Sequence, residues 1–282
     1  MNINKIKSKR GFTLIELLIV ISIISLLSSI VYAFLSGARE SARIAAGMQF
    51  EANVLHGIGD QLVGEWKFDE GAGTAIDTSG FNNNGTVISS PVWSSTAGYN
   101  GKGAYTFNGS NYISLGNFGS FYLKGTISFW MNSAILENWK NPFTTKSLGG
   151  NSGIRFEENS SGTFGAVVGI DGATGDPSTF TGPNYLNSGL SINTWYHVVL
   201  TWDTVSNILV GYLNGVQKFN QTNTLWPTTL PSLTIGGGYD SGRYWKGKID
   251  NVRIYSASLT AMDVQKLYAE EFPSHQQDLA IK

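Results

Sequence analysis

The stretch Trp195–Asp203 reads WYHVVLTWD, and Ile208–Phe219 after it reads ILVGYLNGVQKF. In an extended chain successive side chains point to opposite faces. Tyr196, Val198, Leu200 and Trp202 then share one face, and His197, Val199 and Thr201 share the other. Asn214-Gly215 sits between ILVGYL and VQKF. That dipeptide suits a two-residue hairpin turn, whose central positions need positive φ. The pattern predicts two long antiparallel strands. It also makes His197 a packed, hydrogen-bonded strand residue rather than a catalyst.

Outward from this hairpin, similar runs recur between Gly- and Asn-rich turns: LVGEWKF, TVISS, AYTFNG, YISLG, TISFWMN, GIRFEE, FGAVVGI, SLTIGG and KIDNVRIY. Many short strands over ~200 residues point to a two-sheet sandwich or jelly roll. Trp66, Phe68 and Trp130 read as core or half-core residues. After Tyr255 the strands end. Thr260 can cap a short helix with Val264, Leu267 and Tyr268 on its buried face. The tail at 272–282, FPSHQQDLAIK, is polar and reads as loose.

Composition agrees. Hydrophobic residues are 41% of the 282, enough for a core, and charged residues are 14%, against about 25% in an average soluble domain. With 34 glycines, the chain favours turns over exposed charged helices. A net charge of −1 gives no footprint for nucleic acid. The absence of Cys excludes disulfides, thiolate zinc sites and Cys nucleophiles. The three histidines, His56, His197 and His275, are far apart. They support neither a His-rich metal site nor a Ser-His-Asp triad.

The N-terminus is of another kind. Residues 12–35, FTLIELLIVISIISLLSSIVYAFL, hold one charge, and as a helix they would span ~36 Å, enough to cross a bilayer. Lys5, Lys7, Lys9 and Arg10 precede them with no acid, which places residues 1–11 in the cytoplasm. Glu16 is the informative residue, because an acid in a bilayer costs ~2.5 kcal/mol or more and marks function. Ser22, Ser25, Ser29, Ala33 and Ser36 recur at steps of three and four, which fits either a stripe that lets helices approach closely or small residues simply tolerated in a membrane helix. Beyond the span an amphipathic helix is expected, with Ile44, Met48, Leu55, Ile58 and Leu62 on one face, stopping near Gly57 and Gly59.

The string KSKRGFTLIELLIVISII resembles the class III signal of type IV pilins and type II secretion pseudopilins: a short basic leader, Gly11 before the cut, Phe12 as the new first residue and Glu16 four residues on. The resemblance implies cleavage between Gly11 and Phe12 by a membrane-embedded prepilin peptidase, then N-methylation of Phe12. It also implies a single-pass membrane precursor that pilus or secretion machinery extracts into an extracellular or periplasmic filament. There Glu16 would neutralise the Phe12 amine of a neighbouring subunit. Loss of the leader's four positive charges takes the formal net charge from −1 to −5. One departure is that no Pro occurs before Pro91, where many pilins carry one.

The rest of the chain resembles the laminin-G-like, concanavalin A-like jelly-roll family. The resemblance rests on GEWKFDEGAGTAIDTSGFNNNGTV, GTISFWMN, WYHVVLTWD with GYLNGVQ, and GKIDNVRIYSASLTAMDVQKLY. Joined to the pilin signal, it leaves two main readings open: a structural subunit whose jelly roll builds or decorates a filament, and a binding module that displays the jelly roll to a glycan or protein ligand, as in adhesion. It also implies a calcium ion bridging the turn after Asp77 to the last long strand. Asp77 and Asp250 would be side-chain ligands, and Asn82, Asn84 and Gly85 belong to the turn that supplies carbonyls. The alternative for these residues is an Asx turn at Asp77 and a strand-end Asp250. The hydrolase motif of the fold, E-x-D-x-x-E, does not occur. Adjacent Glu157 and Glu158 would face opposite ways on a strand. Catalysis is therefore not expected, and a membrane-anchored carbohydrate-active enzyme is the weakest alternative. The expected organisation is a cleaved leader (1–11), a pilin helix (12–61, with 12–35 crossing the membrane), a jelly roll with a short C-terminal helix (62–271) and a tail (272–282).

Overall fold

The structure is a computed structural model. It describes residues 14–29, 31–32, 39, 59–116, 118–120, 123–145, 153–169, 185–187, 189–222, 226–227, 229–230, 233–238 and 242–271. The chain divides into two compact units, Met1–Gly57 and Ile58–Lys282.

In the first unit helix α1 covers residues 14–29. Its large apolar residues, from Leu14 to Leu27, are exposed all round. An apolar surface of that kind needs a non-aqueous or protein partner. Ser22 and Ser29 donate their hydroxyls back to the carbonyls of Leu18 and Leu26, both at 2.7 Å, which hides these polar groups within the helix. Among the described residues no helix is long and apolar enough to cross a membrane. The expected span over 12–35 extends past α1 into residues outside those described. Of the expected amphipathic face, Ile44, Met48, Leu55 and Ile58 also lie outside them. Leu62 does not continue a helix; it opens the first strand.

In the second unit the chain runs through β1 (Leu62–Trp66), β2 (Thr74–Ala75), β3 (Gly85–Ile88), β4 (Val92–Ser94), β5 (Ala104–Asn108) and β6 (Tyr112–Gly116). It continues through β7 (Gly119–Ser120), β8 (Lys124–Ser133), β9 (Phe143–Thr145), β10 (Gly153–Glu158), β11 (Phe164–Gly169) and β12 (Tyr185–Asn187). The last strands are β13 (Trp195–Asp203), β14 (Ile208–Leu213), β15 (Val216–Thr222), β16 (Thr229–Leu230), β17 (Leu233–Ile235) and β18 (Lys246–Tyr255), followed by helix α2 (Ala261–Glu271). The first sheet has the order β15-β14-β13-β8-β18-β5-β4, with β1 also on β18. The second has the order β12-β11-β10-β9-β17-β6-β3-β2, and β7 pairs with β16 apart from both. The architecture is a jelly-roll sandwich of two sheets.

The hairpin forms as its sequence dictates. Leu213 pairs with Val216 across Asn214 and Gly215, which have φ of 51° and 73°, as a primed two-residue turn requires. The Asn214 amide donates to the His197 carbonyl at 2.8 Å. The Asn214 side-chain oxygen accepts the His197 amide at 2.9 Å. Val198, Leu200 and Trp202 enter the core between the sheets beside Ile127, Phe129, Phe143, Phe156 and Trp66.

The opposite face of β13 is also buried, because α2 lies across it. Val264 and Leu267 are buried, and the Tyr268 ring stacks 5.7 Å from Trp130 and 5.8 Å from His197. The helix starts as expected at Thr260. Its hydroxyl accepts the Asp263 amide at 3.3 Å, while the Asp263 carboxylate accepts the Thr260 amide at 2.9 Å. This reciprocal pair caps the first turn.

Candidate functional site on the outer face of the second sheet

Of the residues singled out in the sequence, Gly11 and Phe12 lie outside the described residues. Glu16 stands on the first turn of α1, exposed.

Asp77 holds its own turn. One carboxylate oxygen accepts the amides of Glu65 and Ser79, both at 2.9 Å, and the other accepts the Asn83 amide at 2.8 Å. Burial pushes this carboxyl up, but the bonds from Ser79, Glu65 and Asn83 outweigh it and hold the group below the usual carboxylate range. The Asn84 side chain accepts the Asp77 amide at 2.8 Å. Asn82 takes a positive φ of 60°. Gly85 begins β3 where a Cβ would press within 3.0 Å of Ile113, Ala75 and Leu115, so its role is close packing. Asp250 is buried on β18 opposite Trp130 and accepts the Tyr99 amide at 2.9 Å. Among the described residues no group of three or more His, Asp or Glu could hold a metal ion. Amides of its own neighbourhood thus take three of the roughly four lone-pair directions of the Asp77 carboxylate, the bonding of an Asx turn.

His197 bonds Ser128 Oγ through Nε2 at 2.8 Å and is wholly buried against the Trp130 ring, 4.9 Å away. Burial drives its pKa down to about 3. It is a packed strand residue. Glu157 and Glu158 do face opposite ways. Glu158 points inward and accepts the Ser133 hydroxyl at 3.2 Å, and burial raises its pKa to about 8. Glu157 points outward.

The outer face of the second sheet is where polar side chains gather. Register places Thr74 opposite Thr86, Thr86 opposite Ser114, Ser114 opposite Thr234, Thr234 opposite Thr144, and Thr144 opposite Arg155. One row of hydroxyls thus crosses five strands and ends on the guanidinium group of a sixth. Thr74 and Thr86 are exposed, whereas Thr144 and Thr234 are buried. Thr234 donates its hydroxyl to the Gly237 carbonyl at 2.8 Å, so the return from β17 to β18 folds over the middle of the row.

That return builds a corner with the segment before β9. The Asn141 amide donates to the Arg243 carbonyl at 3.0 Å, and Tyr244 stacks on Tyr112 with ring centroids 5.6 Å apart. Glu157 Oε2 accepts from Arg243 Nη1 at 2.7 Å and from Asn141 Nδ2 at 3.1 Å, with Arg155 Nε 3.3 Å away. Burial pushes the Glu157 carboxyl up against the opposing pull of Arg155, Asn141 and Arg243. The Arg243 guanidinium also lies 5.4 Å over the ring of Trp139, a cation–π contact. Trp139 is 36% exposed and holds a φ of 66°, an unusual conformation for a bulky side chain. Sequence reading missed this corner. Arg243 and Glu157 are 86 residues apart, and no short motif links them.

A family model described as concanavalin A-like lectin/glucanases superfamily matches residues 107–265, more than half of the chain. The chain belongs to this superfamily. A prokaryotic N-terminal methylation motif, the type IV pilin signal, matches residues 6–32 of the same superfamily member. No curated protein matches the chain.

Among solved structures, domain 4 of AbnA, a GH43 extracellular arabinanase from Geobacillus stearothermophilus in complex with arabinotriose, is similar with a TM-score of 0.54 at 21% identity. That match covers 74% of this chain and 98% of the other. The binding domain of Paraclostridial Mosquitocidal Protein 1 is similar with a TM-score of 0.55 at 16% identity, over 76% and 53% of the two chains. The Botulinum neurotoxin serotype G binding domain gives 0.56 at 17% identity, over 74% and 51%. This chain thus spans about half the length of those two toxin domains. At such identities the likeness is one of fold.

Proposed function

We propose that this protein is a type IV pilin-like filament subunit that displays its concanavalin A-like domain outside the cell for adhesion through glycan binding, without catalysis. The observation that carries the proposal is the joining, in one chain, of the pilin signal at residues 6–32 to a lectin-type domain at 107–265. The signal implies processing by prepilin peptidase and assembly into a pilus or secretion machine, and a membrane-anchored precursor. The exposed apolar surface of α1 supports burial in a membrane and then among other subunits. Glu157 and Glu158 sit on opposite faces of β10, which keeps this adjacent pair out of a shared cleft and supports a binding role.

The test is mass spectrometry of protein sheared from the cell surface. The expected product begins with N-methylated Phe12. Glu16→Ala should insert into the membrane yet give no surface filament. A surface protein that begins at Met1, or normal filament yield from Glu16→Ala, overturns the filament reading. A processed protein found only in the periplasm favours the type II secretion pseudopilin.

A further inference from the structure

We infer that the corner formed by Trp139, Asn141, Arg155, Glu157 and Arg243 is the glycan subsite of this domain, and that it takes the neighbouring hydroxyls of a neutral sugar. The inference rests on the glycan-binding reading above and gives it a place and a ligand chemistry.

Two atoms point to it. Glu157 Oε1 and Asn141 Oδ1 are buried acceptors with no hydrogen-bond partner among the described residues, and both residues are buried. Buried acceptors left unmatched are costly. They lie in one network, joined by the 3.1 Å bond from Asn141 Nδ2 to Glu157 Oε2. A ligand that satisfies them must bring donors. A carboxylated or sulfated sugar brings acceptors, whereas a hydroxyl donates and still accepts from an adjacent guanidinium. Neighbouring acceptors and guanidinium donors therefore suit a sugar diol.

The aromatic wall is present as well. Trp139 offers an indole at the rim, held in a positive-φ conformation, and indole faces pack against the apolar face of a sugar ring. Arg243 joins the two parts, since it reaches from Glu157 to the Trp139 ring. Its side chain is 17% exposed against 10% for Arg155, so Arg243 is the group that a ligand displaces to reach the buried oxygens. The hydroxyl row does not serve as a long track, because Thr144 and Thr234 are covered.

The full chain in detergent micelles is titrated with arabinotriose, with a panel of other neutral oligosaccharides, and with trigalacturonate, following tryptophan fluorescence. At least one neutral oligosaccharide should bind. Trp139→Ala and Arg243→Lys should each weaken it tenfold or more, and Glu157→Gln should weaken it comparably. Lys218→Ala, on exposed β15 of the other sheet, should leave it unchanged. Near-ultraviolet circular dichroism checks that each variant is folded, and Arg243→Lys is the variant least able to disturb the fold. If a neutral sugar binds but folded Trp139→Ala and Arg243→Lys bind it equally, the subsite is elsewhere and the glycan reading stands. If only trigalacturonate binds, the diol assignment is overturned. If nothing in the panel binds, the glycan reading fails and takes the subsite with it.

Discussion

The outer faces of the two sheets are built from similar strands and are finished in opposite ways. On the first sheet, Trp130 lies between Tyr99, stacked at 3.4 Å, and Tyr268 of α2, with His197 alongside. The helix turns that face into a second core. On the second sheet, the corresponding layer is made of hydroxyls, two arginines, a carboxylate and a half-exposed tryptophan. The difference teaches where constraint lies. The first face is fixed by packing and tolerates little change. The second is polar, and Glu157 Oε1 and Asn141 Oδ1 on it have no hydrogen-bond partner among the described residues, as His197 Nδ1 has none on the first.

The largest effect that tests this contrast is expected at Trp130. Trp130→Ala empties a buried stack and should cost about 3–5 kcal/mol, lowering the melting temperature by ~10 °C for a domain of this size. A loss under 2 °C would mean that the helix-covered face is not a core.

A pH series sharpens the contrast next. The folded pKa of His197 is about 3, far below the ordinary ~6.5 of a free histidine. Its contribution is present above pH ~6.5 and falls as the pH drops, by at most about 1.4 kcal/mol per unit, because the unfolded chain takes up the proton first. His197→Gln should flatten that acid limb of the stability curve. Glu158 has the opposite sign. Its folded pKa is about 8, so folding favours the protonated form and stability is lost as the pH rises from ~4.5 through 8. Glu158→Gln, measured by denaturant unfolding, should match the parent near pH 4.5 and exceed it above pH 8.

Smaller effects belong to the second face. Ser114→Ala and Thr86→Ala remove hydroxyls at partly or fully exposed positions and should change stability by no more than ~0.5 kcal/mol. Smallest of all, exchanging calcium for a chelator should leave the melting temperature unchanged, because the Asp77 carboxylate is already bonded by amides of its own turn. A rise in calcium that Asp250→Ala abolishes would restore the metal-bridged turn.

Much of the fold was legible because it rests on local rules. Alternation in WYHVVLTWD separated the two faces of β13, Asn214-Gly215 marked the hairpin, and Thr260 marked the start of α2. The pilin signal was legible because a peptidase reads it as a linear string. The corner around Glu157 was not, since it depends on the return from β17 folding back to set Arg243 on Glu157. Asp77 and Asp250 stood out by residue type, but only coordinates reveal that backbone amides occupy the Asp77 carboxylate. Leu62 kept the helical spacing of the preceding residues by coincidence, and strand pairing with Tyr255 overrode it.

Gly215 has a consequence for the order of assembly. A Cβ there would meet the Tyr268 ring at 3.1 Å, so the bare hairpin tip gives α2 its seat. Synthesis delivers the chain from its N-terminus, and α2 emerges after the eighteen strands of the described residues. Until it docks, Trp130 and His197 lack the Tyr268 ring that stacks on them, and an aromatic patch is left uncovered on the nascent domain. Docking of α2 closes that patch, and the fit between a glycine and a tyrosine holds it there.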